Sequence, residues 1–323
     1  MMRKVFWALF RLPVLAIVAV VVLCFYNVWF VESKDAVSSA PLTTKFIDIS
    51  NEKVAYSEIN NNSSTTVIFV GGLSAWNGTW KRVIEKLNSE KSDLNYVAID
   101  LPPFGYSLPS AEKKYFRDTQ AERIASFIEN KTFDNVILVG HSYGAGPSVE
   151  YVMRNQQKVK KLILIDAVLN IDETKIISKY SPVQLTLLRN VLIGTLIHVD
   201  SFGLSQLKKF VYITDHIDQE LLSVYTRYFD TKNTTQRFSL WLRDYVNDPL
   251  DYLSNSSGNY KKISVPVRLI WGDKDTITPI EGTKILLDTV PDIQLITLEG
   301  VGHIPMIEQY ELFDTELLNA LNN

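Results

Sequence analysis

One serine of this chain lies in surroundings suited to nucleophilic chemistry. The apolar run Val136–Val139 predicts a buried strand. It is followed directly by Gly140-His-Ser-Tyr-Gly144, which fits the pattern Gly-x-Ser-x-Gly. In that pattern the serine lies on a sharp turn between a strand and a helix, and Pro147–Asn155 can form the helix. Ser142 is therefore a candidate nucleophile.

A serine nucleophile needs a general base, and the chain has four histidines. His303 lies in Glu299-Gly-Val-Gly-His-Ile-Pro305, where two glycines and a proline predict a shaped loop at a strand end. His141 is adjacent to the serine in sequence, so its side chain is expected to point elsewhere. His198 and His216 lack a glycine-rich loop context and are interpreted as structural. His303 is the candidate base.

Three aspartates near predicted strand ends could orient that base. Asp273 falls within a turn, where aspartate commonly caps the backbone. Asp275 lies deeper in the loop Trp271-Gly-Asp-Lys-Asp-Thr-Ile-Thr-Pro279 and is our first choice. Asp166 ends the preceding strand and remains the alternative. With Asp275, the order serine, aspartate, histidine along the chain is that of one hydrolase superfamily.

Apolar runs that alternate with helical segments predict the sheet that positions these residues. The predicted strands are Lys45–Ser50, Lys53–Ile59, Thr66–Val70, Asn95–Ile99, Val136–Val139, Lys161–Ile165, Val267–Trp271 and Ile293–Thr297. The first two alternate around a short turn and predict an antiparallel hairpin. The others are continuous apolar runs, typical of parallel strands covered on both faces. The predicted fold class is therefore α/β, with an eight-stranded, mostly parallel sheet flanked by helices.

The alternation of strands and helices also divides the chain. Residues 45–169 and 259–323 contain the predicted strands and form the predicted core. Residues 170–258 are rich in helix formers and predict a helical cap over the carboxyl edge of the sheet, where ligands bind in open α/β sheets. Residues 1–31 are predicted to be a membrane anchor, and residues 32–44 a polar tether.

The anchor is predicted from one long apolar segment. Leu12–Val31 is a run of 20 residues without a charge, and such a helix spans about 30 Å, the thickness of a bilayer's hydrocarbon core. Arg3, Lys4 and Arg11 precede it, which places the N-terminus in the cytoplasm and the rest of the chain outside. A cleaved signal peptide, followed by secretion, is the less favoured alternative because its apolar stretch is usually shorter.

Composition excludes some function classes. The net charge of −3 and the lack of a basic stripe with interleaved aromatic residues argue against a nucleic-acid partner. Cys24 is the single cysteine, so the chain has no internal disulfide.

Four passages of the sequence together resemble the α/β-hydrolase superfamily, in particular its capped esterases, C–C hydrolases and epoxide-hydrolase-like members. The passages are Val70-Gly-Gly-Leu-Ser-Ala-Trp76 with Trp80, Asp100-Leu-Pro-Pro-Phe-Gly-Tyr-Ser107, Gly140-His-Ser-Tyr-Gly144, and Gly272-Asp-Lys-Asp275 with Gly302-His303. The resemblance extends from about residue 45 to the C-terminus. It implies that Ser142 is the nucleophile, His303 the base and Asp275 the acid.

The resemblance also implies an oxyanion hole, made by the backbone N–H groups of Leu73 and Tyr143. The sequence departs from the family here, since Gly71-Gly72 stands where His-Gly is common. The loop before Leu73 is therefore expected to be supported differently. A serine in place of an aspartate argues against epoxide hydrolysis and dehalogenation through an alkyl-enzyme.

The activity implied by the resemblance is hydrolysis of a carboxylic ester through an acyl-enzyme, with no metal and no organic cofactor. The expected partners are a small-molecule ester with an apolar moiety, suited to the aromatic cap, and the membrane. Hydrolysis of a C–C bond, a thioester or an amide is the alternative within the same fold. A non-catalytic binding module is the alternative of another class, because this fold can lose its chemistry and keep its pocket.

Overall fold

The computed structural model describes residues 2–49, 51–109, 112, 114–173, 181–215 and 217–323. Three sequence predictions fall partly or wholly outside these residues. They concern the end of the first predicted strand at Ser50, the structural interpretation of His216, and residues 174–180 of the predicted cap.

The described residues build one eight-stranded sheet. Its strands are β1 (Lys45–Ile49), β2 (Glu52–Ile59), β3 (Thr65–Val70), β4 (Asn95–Ile99), β5 (Asn135–His141), β6 (Val159–Ile165), β7 (Val267–Gly272) and β8 (Ile293–Leu298). They are arranged in the order β1-β2-β4-β3-β5-β6-β7-β8. β1 and β2 pair antiparallel, as do β2 and β4, and the remaining neighbours are parallel. The predicted eight-stranded, mostly parallel sheet is confirmed.

The central strands are mostly apolar because both faces of the sheet are covered. In β3, Ile68 and Val70 pack into one apolar layer, while Val67 and Phe69 pack into the other. All four side chains are fully buried. Two-sided burial removes the polar–apolar alternation of a half-exposed strand, which explains why these strands are continuous apolar runs.

Helices cover both faces of the sheet and fill the interval between β6 and β7. The α-helices of the described residues are α1 (Met2–Tyr26), α2 (Ala36–Ser39), α3 (Lys81–Glu90), α4 (Arg117–Asn130), α5 (Ala145–Arg154), α6 (Thr186–Leu196), α7 (Asp200–Phe210), α8 (Gln219–Thr226), α9 (Thr234–Val246), α10 (Ser257–Tyr260), α11 (Lys284–Thr289), α12 (Pro305–Glu308) and α13 (Tyr310–Asn322). Apolar residues of α4, α5 and α11 pack on one face of the sheet. Those of α3 and α13 pack on the other.

The helices between β6 and β7 contact the loops at the carboxyl edge of the sheet. Trp76 follows β3, and its indole N–H donates to the carbonyl oxygen of Val224 in α8 at 2.7 Å. Phe104 follows β4, and its ring packs edge-on against Phe238 and Trp241 of α9. These rings belong to a third buried apolar cluster, separate from the two that cover the sheet. An aromatic layer thus joins this helical segment to the carboxyl edge.

α1 continues through a π-helical turn, Asn27–Val31, and is the element of the described residues that is long and apolar enough to cross a membrane. The apolar segment is Leu12–Val31, with a mean hydropathy of 2.6. Its end packs on α6, where the Asn27 side-chain amide donates to the carbonyl oxygen of Gly194 at 2.8 Å. Immediately after it, the buried carboxylate of Glu32 accepts a hydrogen bond from the backbone N–H of Thr235 at 2.9 Å.

Candidate active site

Ser142 lies on the sharp turn between β5 and α5. The strand ends at His141, one 3₁₀ turn covers Ser142–Gly144, and α5 begins at Ala145. Ser142 has a φ of +52°, a left-handed conformation that is unfavourable for a residue with a side chain. Gly144 permits the turn because a Cβ atom there would lie 2.4 Å from the carbonyl oxygen of Gly71. The turn therefore presents the Ser142 hydroxyl at the carboxyl edge of the sheet.

A chain of hydrogen bonds connects three of the residues selected from the sequence. The Oγ atom of Ser142 is 2.8 Å from Nε2 of His303. On the other side of the ring, Nδ1 is 2.7 Å from Oδ2 of Asp275. All three residues are buried, with exposed fractions of 7% for Ser142, 2% for His303 and 5% for Asp275. Water is thus largely excluded, which strengthens the electrostatic interactions among them.

The Asp275 carboxylate is held by its own loop. Its Oδ1 atom accepts the backbone N–H groups of Ile277 and Thr278 at 2.7 and 3.0 Å, and its Oδ2 atom accepts the Thr278 hydroxyl at 2.6 Å. Burial acts to raise the pKa of Asp275, but the hydrogen bonds from His303 and Thr278 outweigh it and lower the pKa below its usual value. An ionised Asp275 can stabilise a positive charge that develops on His303.

The two other aspartates considered from the sequence have different partners. Asp166 is fully buried, and its Oδ1 atom accepts the backbone N–H of Gly272 at 2.9 Å. Burial, followed by the negative charge of Asp275, raises the pKa of Asp166 well above its usual value, which favours the neutral acid. Asp273 caps the turn, where it accepts the backbone N–H of Gly300 at 2.6 Å. The geometry therefore favours Asp275 as the partner of the histidine.

His141 contributes to the site through the backbone of the candidate base. Its Nε2 atom is 2.9 Å from the carbonyl oxygen of His303, and the two ring centroids are 5.3 Å apart. Burial lowers the pKa of His141 to about 3, so the ring is neutral and its Nε2–H donates to that carbonyl. The sequence predicted only that the His141 side chain points away from Ser142. The signal available for this prediction was the position of His141 next to the serine.

Glu308 also positions the histidine loop, and sequence reasoning missed it. Its carboxylate is buried and accepts the backbone N–H of Gly302 at 3.0 Å. The same carboxylate accepts the N–H groups of Tyr212 and Ile213, after α7, at 2.7 and 3.0 Å. One side chain thus ties the loop of His303 to the helical segment between β6 and β7. A glutamate five residues after the histidine carries no local pattern that distinguishes it from a surface residue.

The two backbone groups expected to form an oxyanion hole belong to segments that meet at Ser142. A Cβ atom at Gly72 would lie 2.8 Å from Cβ and 3.2 Å from Oγ of Ser142, so glycine is required for the close approach. Leu73 follows Gly72 and lines the same cavity as Ser142. Tyr143 follows the serine in the 3₁₀ turn that leads into α5. The positive end of the α5 dipole therefore lies at this turn.

A cavity of about 300 Å³ opens above Ser142 and His303. Residues between β6 and β7 make more than half of its lining, and most of these residues are apolar. Among them are Ile193, Leu196, Leu207, Phe210, Leu222, Phe238 and Trp241. Among the described residues, no group of three or more His, Cys, Asp or Glu side chains is placed to hold a metal ion. The space beside Ser142 suits an apolar chain.

The sequence profile of the alpha/beta hydrolase fold matches residues 65–310. This range includes the sharp turn at Ser142, the loops of Asp275 and His303, and the helices over them. The chain belongs to the α/β-hydrolase family. Related sequences in this family span most of its length. It is 25% identical over 280 residues to the uncharacterized hydrolase YugF of Bacillus subtilis, covering 83% of this chain and 94% of that protein.

Two further α/β-hydrolase comparisons concern lipid-cleaving enzymes. The chain is 25% identical over 276 residues to Lipase 3 of a Moraxella species, covering 84% of this chain and 82% of that enzyme. The crystal structure of a membrane phospholipase A superposes with a TM-score of 0.66 at 22% identity, covering 100% of this chain and 98% of that one. The latter likeness shows that the fold, including the N-terminal extension, is shared.

Proposed function

We propose that this α/β-hydrolase is a membrane-anchored serine esterase, with Ser142 as nucleophile, His303 as general base and Asp275 as the orienting acid. The observation that carries the proposal is the unbroken hydrogen-bonded chain from Ser142 Oγ through the His303 ring to Asp275 Oδ2, with contacts of 2.8 and 2.7 Å. A serine becomes a nucleophile when a base accepts its proton and a third group holds that base in the correct tautomer.

The proposed reaction proceeds in two halves. Ser142 Oγ attacks the ester carbonyl carbon while its proton passes to Nε2 of His303. The tetrahedral intermediate collapses, the bond to the alcohol oxygen breaks, and His303 returns the proton to the departing alcohol. Water then attacks the acyl-enzyme by the same route, with His303 as base, and releases the acid and the free serine.

The negative oxygen of the tetrahedral intermediate would be stabilised by the backbone N–H groups of Leu73 and Tyr143. The approach of Gly72 to Ser142 supports this assignment, because it places the neighbouring residue Leu73 beside the serine, where both line the same cavity. The start of α5 adds a favourable dipole. Loss of one oxyanion donor typically lowers kcat by about 10²–10³.

The substrate that best suits the site is an ester with a long apolar chain, as found in membrane lipids. Three observations support this proposal. The wall of the cavity is apolar, Leu12–Val31 is suited to hold the enzyme at a bilayer, and two of its relatives carry the names lipase and membrane phospholipase A. We propose that residues 170–258 act as a cap that selects the apolar chain of the ester.

The proposed topology places the N-terminus in the cytoplasm and the catalytic domain on the opposite side of the membrane. Arg3, Lys4 and Arg11 precede Leu12–Val31, and positive charges flanking an apolar helix favour the cytoplasmic side. Alkaline carbonate extraction tests the anchor. We expect the intact chain to stay in the membrane pellet, and its release into the supernatant would contradict a spanning helix.

Labelling with a fluorophosphonate probe tests the nucleophile. We expect the wild type and Ser89→Ala, a control on the exposed surface of α3, to be labelled equally. Ser142→Ala should not be labelled, because it lacks the attacking oxygen. Absence of labelling in every protein that retains Ser142 would favour a non-catalytic binding module.

A substrate panel tests the type of bond. Esters graded by acyl length should be hydrolysed with kcat/KM rising toward long chains. A thioester, an amide and a substrate with a cleavable C–C bond beside a ketone are the comparison compounds. Faster turnover of any of these than of the esters would replace the esterase proposal by one of the alternatives within the fold.

A further inference from the structure

The outer surface of α6 carries an unusual group of exposed leucines. The leucine face consists of Leu187, Leu188 and Leu192 of α6 and of Leu185 directly before the helix, whose exposed fractions are 78, 37, 38 and 64%. Leu188 and Leu192 are four residues apart and therefore lie on the same side of the helix. Water makes such a cluster unfavourable, and exposed apolar groups of this kind commonly mark a contact surface.

α6 is fixed against the end of α1. The hydroxyl of Thr195 donates to the carbonyl oxygen of Val20 at 3.3 Å, and the Asn27 amide donates to the carbonyl oxygen of Gly194 at 2.8 Å. Cys24 packs at Gly194, where a Cβ atom would lie 2.9 Å from its sulfur. These contacts place α6 alongside the part of α1 and its π-helical turn between Val20 and Asn27.

The aromatic residues after α1 indicate how deep these contacts lie. Trp29 and Phe30 are 74 and 70% exposed, and exposed aromatic rings at the end of a spanning helix favour the membrane–water interface. With a rise of about 1.5 Å per residue, Cys24 lies roughly 8 Å and Val20 roughly 14 Å deeper in the bilayer than Trp29. The part of α6 that touches Cys24 and Val20 therefore lies below the interface.

The same helix forms part of the wall of the cavity. Ile193 and Leu196 of α6, and Ile197 directly after it, line the space above Ser142. By composition, α6 and α7 together are apolar enough for a membrane segment, but they bend by 92° where they join. This bend suits a pair of helices that enters one leaflet and returns.

We propose that the leucine face of α6 is immersed in the acyl-chain region of the outer leaflet, beside α1. The partner is the lipid bilayer itself, and α6 separates it from the catalytic cavity. An ester in that leaflet is then already at the depth of the cavity wall before it leaves the membrane. This inference rests on the anchor in the proposed function, but not on the nature of the bond that is cleaved.

Depth-dependent fluorescence quenching tests the position of α6. In a Cys24→Ala background, single cysteines at Leu187, Leu192 and the control position Asp134 are labelled with an environment-sensitive fluorophore. Asp134 is exposed and precedes β5, at the amino edge of the sheet. The full chain is reconstituted in phosphatidylcholine vesicles that contain lipids with a nitroxide on the acyl chain.

We expect the labels on α6 to be quenched at least about threefold more strongly than the label at Asp134, because they share the depth of the nitroxide. Equal, weak quenching at all three positions would overturn the inference. A label that is shielded from water but not quenched by lipid would also overturn it, since a protein partner would then cover the face. Carbonate extraction of the same samples shows separately whether the anchor holds.

A kinetic comparison tests the consequence for substrate access. Leu187→Ser with Leu188→Ser is compared with a control pair, Leu287→Ser with Leu312→Ser, whose leucines are 39 and 38% exposed on α11 and α13. The α6 pair should lower the rate on a long-chain ester in vesicles by about tenfold and leave a soluble short-chain ester unchanged. A rate on vesicles equal to that of the control pair, or an equal loss on both substrates, would contradict the inference.

Discussion

The loops below the cavity and the helices above it are held by different kinds of contact. Below, Asp275 accepts three hydrogen bonds from its own loop, and Glu308 accepts the backbone N–H that precedes His303. Above, Phe238 and Trp241 are held by the edges and faces of neighbouring rings. The loops are set by directional polar bonds, whereas these two rings of the cavity wall are held by apolar packing.

This difference separates the two tasks of a hydrolase. Hydrogen bonds have narrow distance and angle ranges, so they keep a nucleophile and its base in register. Apolar packing depends on volume and tolerates exchange of one side chain for another of similar size. Changes in the loops should therefore act on the chemical step. Changes in the apolar side chains of the helices should act on which acyl chain of the substrate is bound.

The largest effect is expected in the loops, from Asp275→Asn. The amide cannot stabilise a protonated His303, and an equivalent change in a known serine hydrolase triad lowers kcat by about 10⁴. Asp166→Asn is the matched control, because a neutral amide resembles the neutral acid and can keep the bond from Gly272. Its kcat should stay within about tenfold of the wild type. Steady-state kinetics on a soluble ester decides, and a larger loss in Asp166→Asn would make Asp166 the acid.

The next effect concerns the helices above the cavity. Phe238→Ala removes a ring that packs on Phe104 and lines the cavity, and a buried Phe→Ala change costs about 3–5 kcal/mol. The variant should also favour longer or bulkier acyl chains. Phe127→Ala, in the core on α4, should lose similar stability without changing the preferred acyl length. Urea denaturation and an acyl-length series provide the two readouts; a shift of preference in both variants would contradict the separation of tasks.

A smaller effect is expected where the two regions are joined. Glu308→Gln keeps one acceptor oxygen and replaces the other by an amide NH₂ group, which donates and cannot accept. The N–H bonds to the replaced oxygen are lost: those of Gly302 and Ile304 at Oε1, or those of Gly302, Tyr212 and Ile213 at Oε2. Loss of such a buried bond costs about 1–3 kcal/mol, and kcat should fall by about tenfold as His303 loses its fixed position. Glu299→Gln, an exposed change in the same loop, is the control. If both variants unfold at the same urea concentration, the hydrogen bonds that Glu308 accepts do not contribute to stability.

The smallest effect at neutral pH is a pH dependence of stability carried by His141. Burial lowers the pKa of His141 from 6.5 to about 3 in the folded protein. As the pH falls below 6.5, the unfolded chain binds a proton that the folded protein excludes, so stability is lost progressively toward pH 3. His141→Gln should reduce this slope by up to about 1.4 kcal/mol per pH unit. Urea denaturation at several pH values measures it, and parallel curves for wild type and variant would show that His141 titrates normally.

Much of the sheet could be predicted from the sequence because the signals are local. Val67–Val70 of β3 is a continuous apolar run because both faces of the strand are covered, and that pattern is visible in four residues. The sharp turn at Ser142 was indicated by the small residues that a tight strand-to-helix turn requires. The order of the nucleophile, Asp275 and His303 added a signal from well-separated loops.

Other features depended on contacts between distant parts of the chain. Glu308 and Thr278 touch the site through bonds that no short pattern encodes. The packing of Asn27 on Gly194 joins residues 167 positions apart. The sequence indicated only that Asn27 belongs to an apolar anchor and that residues 32–44, which follow it, are polar. The role of Glu32 in holding Thr235 is likewise invisible in a polar segment.

The amino-acid sequence by itself thus determined the sheet, the sharp turn that carries Ser142 and a long apolar N-terminal segment. Each of these follows from the spacing of side chains within a short stretch, where backbone geometry leaves few options. The tertiary structure decided which carboxylate meets His303, which rings close the cavity and which helix lies beside α1. These are choices among many apolar and polar partners of similar chemistry, and only the packing of the whole chain distinguishes them.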